Sequence, residues 1–74
     1  MRMLLVLPTI QDVLWAEEEM LARNIPHELL PTPTHISSDC GMVVAVEKAH
    51  LASAQALLKQ LNVTIVSSHK DSSR

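Results

Sequence analysis

The chain has no tyrosine and no phenylalanine, and Trp15 is its one aromatic residue. Aromatic platforms for stacking bases are therefore missing, and a net charge of −2 gives no phosphate-binding field. Both features argue against a nucleic-acid partner. A single cysteine, Cys40, excludes an internal disulfide framework. His27, His35, His50 and His69 are scattered and form no Cys/His cluster at zinc spacing, so neither a metal site nor a cofactor is indicated. No apolar run approaches membrane-spanning length. The apolar residues 3–7 that follow Arg2 stop at Pro8, too short for the hydrophobic region of a signal peptide. The expectation is a cytoplasmic protein with a reduced thiol and no membrane contact.

What remains is mostly aliphatic: hydrophobic residues make up 47% of 74 positions. That length allows one domain with one small core, burying only about 60% of the unfolded surface. Such cores supply roughly 3–5 kcal/mol and often lean on a partner, so a homodimer is expected.

Residues 2–7 form a run that is apolar from Met3 onward without alternation, which suits a central strand buried on both faces. Thr9 reads as a helix N-cap, with Asp12 at the capping-box position. Ile10, Val13, Leu14, Met20, Leu21 and Ile25 recur at helical spacing and are expected to face the core, with Leu14 and Leu21 beneath the sheet. Glu17, Glu18 and Glu19 read as the solvated side, and Trp15 lies just off the stripe. Asn24 closes the helix and Pro26 forbids its continuation. Residues 27–30 form a second strand, with flanking prolines marking it as an edge. Residues 42–46 are β-branched and apolar, the second central strand. Helical spacing returns over 48–61 through Leu51, Ala54, Leu57, Leu58 and Leu61, ending at Asn62. Residues 63–66 alternate as a last strand, and 67–74 read as a polar tail. The order β-α-β-β-α-β predicts an α+β, ferredoxin-like domain over 1–66, a four-stranded antiparallel sheet with both helices on one face.

Between the second and third strands lies a loop, residues 31–41, holding two of the four prolines, the one cysteine and the one glycine. Pro31 and Pro33 stiffen it, Ser37, Ser38 and Asp39 can bond local amides, and Gly41 permits positive φ or a close backbone approach. The topology puts this loop at the sheet edge where Pro8-Thr9 opens the first helix. A thiol beside a helix N-terminus has its thiolate favoured, and the thiolate is the nucleophile. His35 could orient or deprotonate the thiol, but no acidic residue at a recognisable spacing completes a Cys–His set. The plainer alternative is that Cys40 is a small buried hydrophobe at the start of an apolar strand.

The motif Thr32-Pro33-x-x-Ile36-Ser37-x-x-Cys40-Gly41, after a β-α-β unit whose first strand ends in Pro8-Thr9, resembles the selenium/sulfur carrier protein-like family of small bacterial proteins. The resemblance covers about residues 3–66. It implies that Cys40 holds sulfur or selenium as a persulfide or perselenide, supported by Thr9, Thr32, Pro33, Ile36, Ser37, Ser38 and Gly41. It also implies a cysteine desulfurase-like donor, a selenophosphate- or thiolation-type acceptor, and no turnover by the protein itself. Family members often carry a basic residue in the strand after the motif; here the first is Lys48. Two other readings compete: a regulatory or ligand-binding module in which Cys40 packs, and a redox sensor in which it is oxidised.

Overall fold

The computed structural model describes residues 1–36 and 40–71. Strand β1 runs Arg2–Val6, helix α1 Ile10–Ala22, β2 Glu28–Pro31, β3 Met42–Glu47, a 3-10 turn Lys48–His50, helix α2 Leu51–Gln60 and β4 Ser67–Lys70. The strands lie in the order β2-β3-β1-β4, and every neighbouring pair is antiparallel. This is the ferredoxin-like arrangement. The two continuously apolar strands, β1 and β3, occupy its centre, paired from Arg2 opposite Glu47 to Val6 opposite Val43.

Each helix is set by its ends. Thr9 Oγ1 accepts the Asp12 N–H at 3.1 Å, fixing the start of α1. Both helices close with the same device. Asn24 and Asn62 take left-handed conformations, φ 56° and 60°. Beyond them the Ile25 N–H donates to the Met20 carbonyl and the Val63 N–H to the Leu58 carbonyl, each at 2.9 Å. These are paired Schellman caps, and each places an apolar residue back on its own helix.

The sheet buries side chains on both faces. On the helix side, Leu5, Leu7, Val44 and Val46 pack with Val13, Ala16 and Met20 of α1 and Ala54, Leu57 and Leu58 of α2. On the other side, Leu4, Val6, Val43 and Ala45 are covered by Ile36, with Leu30 at the margin. At that same face Arg2 joins the two edge strands. Its Nη2 donates to Asp71 at 2.7 Å and its Nη1 to Glu28 at 2.6 Å. These hydrogen bonds, Asp71 first and Glu28 second, raise the guanidinium pKa above its ordinary value.

Two expectations need correction. The fourth strand lies at Ser67–Lys70, within the stretch read as a tail, and not at 63–66. Residues 63–66 connect helix to sheet. The Val63 N–H is used by the cap of α2, Val63 itself is buried in the helix-side core, and pairing with β1 begins only as the Val66 N–H reaches the Val6 carbonyl. An edge strand is held by its ladder, and its sequence need not alternate. The second correction concerns α1, where Leu14 and Leu21 are 53% and 64% exposed. The buried line is Val13, Ala16 and Met20. Small Ala16 lets the helix approach the sheet, and turning the helix to bury Leu14 and Leu21 would lift that line off it.

Candidate functional site

The loop that carries Cys40 begins as an extension of the β2–β3 hairpin. Pro31 stands opposite Met42, and one pair further the Thr32 N–H donates to the Gly41 carbonyl at 3.0 Å. This places Pro31 at a position whose missing N–H would have pointed away from β3, so the ladder loses nothing. A turn follows: the Ile36 N–H donates to the Pro33 carbonyl at 3.0 Å. The turn delivers Ile36, only 5% exposed, onto the non-helical face of the sheet. Ile36 is thus an anchor, burying a side chain whose transfer from water contributes roughly 1.5–3 kcal/mol. Ser37, Ser38 and Asp39 lie outside the described residues.

Cys40 returns at the start of β3, in step with Met42, Val44 and Val46. Its half-buried side chain packs against the helix-side core. Gly41 follows with φ +83°, and among the described residues beyond its chain neighbours a Cβ there would meet no atom within 4 Å. Glycine is needed for the backbone conformation and not for lack of room.

The pairing register places Cys40 relative to α1. Val6 is opposite Val43, Cys40 is three residues before Val43, and Thr9 is three residues after Val6. Both therefore lie at one sheet edge, and on one face, since α1 and Cys40 share the helix-side core. The first-turn amides of α1 open at this edge and supply positive potential. Cations do not crowd it. Arg2, Arg23, Lys48 and Lys70 all fall at the opposite edge, by the directions of their elements, and Lys59 near the end of α2 is the exception among the described residues. Lys48 is eight residues along an extended strand from Cys40, about 25 Å at strand spacing. It cannot act as an anion contact for the thiol.

The structure therefore gathers Thr9, Thr32, Pro33, Ile36, Cys40 and Gly41 at one edge but divides them between faces. Thr32 and Ile36 belong to the non-helical face, Cys40 to the helical one. The Thr32 hydroxyl is buried there with no hydrogen-bond partner among the described residues. His35 is exposed in the turn. His27 and His69 are engaged elsewhere. The His27 Nδ1–H donates to the Ile25 carbonyl at 2.9 Å with Nε2 3.9 Å from Glu17, and His69 Nε2 bonds Ser67 Oγ at 2.9 Å. Among the described residues no group of three or more His, Cys, Asp or Glu could hold a metal ion, and no helix is long and apolar enough to cross a membrane. Two open concavities, about 180 and 280 Å³, meet at Pro26 and His27, away from the thiol edge.

Sequence reasoning expected central strands buried on both faces but did not name Ile36 as the cover of the face away from the helices. Ile36 looked like a loop residue within a motif, whereas the full burial of Leu4, Val6, Val43 and Ala45 requires something over them. The signal was present in both central strands, which lack the polar alternation of a sheet with one solvated face.

Residues 2–70 match the model of the family described as "Putative Se/S carrier protein-like". No curated protein and no solved structure matches the chain.

Proposed function

We propose that this protein, which belongs to the Se/S carrier protein-like family, holds one sulfur or selenium atom on Cys40 and hands it to a partner enzyme. The observation that carries this reading is the position of the chain's one thiol. Cys40 is half-buried at the sheet edge where α1 opens, beside a glycine that has room around its Cα among the described residues.

The chemistry is a sulfane-sulfur exchange. The Cys40 thiolate attacks the terminal sulfur of a donor persulfide, a bond forms between Cys40 Sγ and that sulfur, and the donor's own sulfur leaves as a thiolate. No net oxidation or reduction occurs. Delivery repeats the step with the acceptor thiolate as nucleophile and Cys40 as leaving group; a selenium atom follows the same path. The first-turn amides of α1 open at the same sheet edge as the exchange. With no second cysteine, Cys40 cannot discharge the persulfide internally to a disulfide. Such a protein is a cargo holder and not a catalyst. A cysteine desulfurase-like enzyme suits the donor role, and a selenophosphate- or thiolation-type enzyme the acceptor role.

Incubation with inorganic polysulfide, followed by intact-mass measurement, tests this reading. The expected result is a mass gain of one sulfur atom, removed by dithiothreitol, absent in Cys40→Ser, and passed to an added low-molecular-weight thiol. Loss of the gain in the wild type under conditions that leave it folded would refute it.

A further inference from the structure

Helix α1 carries a second apolar face that the fold leaves uncovered. Val13, Ala16 and Met20 point into the core. At about 100° per residue, Leu14, Trp15, Glu18, Leu21 and Ala22 share the opposite side. All five are exposed, and the chain's one aromatic residue is among them. Leu14 and Trp15 stand one turn before Glu18, and Leu21 and Ala22 one turn after it. Glu18 is thus a carboxylate at the centre of an apolar patch. Its neighbours are engaged, Glu17 beside His27 and Glu19 with Arg23, but Glu18 has no ion-pair partner among the described residues.

An exposed apolar patch of this kind marks an interaction site, and charge decides what occupies it. A second copy covering the whole patch would place the two-fold axis at its centre, setting Glu18 against its own counterpart. Ile10–Ala22 contains no lysine or arginine to relieve that repulsion, and Arg23 is already paired. A foreign surface with one basic residue among apolar ones gains an ion pair at that point, while an acidic surface is rejected.

We infer that the outward face of α1 is the docking surface for another protein, one that lays leucine-like side chains around a central lysine or arginine, as an amphipathic helix does. The patch runs toward the thiol. Leu14 is five residues from Thr9, about 7 Å of helix rise, so a partner seated here reaches the edge that holds Cys40. That this partner takes part in sulfur or selenium transfer rests on the carrier reading; the docking itself does not.

Trp15 is its own reporter. Its emission is followed during titration with a synthetic helical peptide of leucine and lysine at amphipathic spacing, and with the same pattern in leucine and glutamate. The lysine peptide is expected to shift emission to shorter wavelength and to bind about tenfold more tightly than the glutamate peptide. Glu18→Lys is expected to reverse that order, and Leu14→Ser with Leu21→Ser to abolish both titrations without loss of helical circular dichroism. Equal binding of the two peptides, no binding of either, or an order that Glu18→Lys leaves unchanged overturns the inference. So does an emission shift on raising the concentration of the protein alone with doubling of its molar mass, or a shift with phosphatidylcholine vesicles. Polysulfide loading of Cys40 is expected to be unchanged in Glu18→Lys. Absence of loading in the wild type would end the carrier reading and leave the docking surface standing.

Discussion

At the residue scale, the site depends on a few conformations more than on a constellation of side chains. Gly41 holds φ +83° with room for a Cβ among the described residues, so the cost of Gly41→Ala is backbone strain. The expected loss is about 1–2 kcal/mol, read as a lower midpoint in urea unfolding with an unchanged slope. Thr9→Ala removes the acceptor for the Asp12 N–H and is expected to cost about 1 kcal/mol. Gly41, Thr9, Asn24 and Asn62 were legible in the sequence because each has a residue-specific physical role: a positive φ or a cap. The surroundings of Cys40 were not legible, since half-burial against the helix-side core depends on how α1 lies on the sheet.

At the element scale, the strongly apolar segments declared themselves and the polar ones did not. β1 and β3 follow from continuous apolar runs, and both helices from their spacing and asparagine ends. β4 does not, because Ser67–Lys70 has no apolar face and exists through its ladder to β1. The apolar positions of α1 gave the helix correctly but spread over two lines, and only packing against the sheet selects Val13, Ala16 and Met20. Residues 31–36 behave as an element too, anchored by Ile36 over Leu4, Val6, Val43 and Ala45. Ile36→Ala is expected to cost about 2–4 kcal/mol and to speed iodoacetamide labelling of Cys40 below the unfolding transition. A stability loss with no change in labelling rate would show that the anchor holds the sheet face alone and does not restrain the thiol.

At the scale of the whole molecule, the two sheet edges divide the work. One edge gathers the Arg2, Glu28 and Asp71 ion pairs, which tie β2 and β4 to β1; the other opens α1 beside Cys40. Because its partners raise the Arg2 pKa, the contribution of its charge is present at neutral pH and is lost as the pH rises into strong alkali. Arg2→Met is therefore expected to lower the thermal midpoint at neutral pH while leaving Cys40 labelling unchanged, as calorimetry and mass spectrometry would show. A separated, structurally quiet thiol edge is what a carrier needs, since the cargo must be presented without unfolding its support. The most direct test is the intact mass of the protein purified without reductant, before and after dithiothreitol. A reductant-labile adduct of one sulfur or selenium atom, absent from Cys40→Ser, is the predicted result. An unmodified Cys40 that also resists iodoacetamide until the protein unfolds would contradict the account, leaving the thiol as packing.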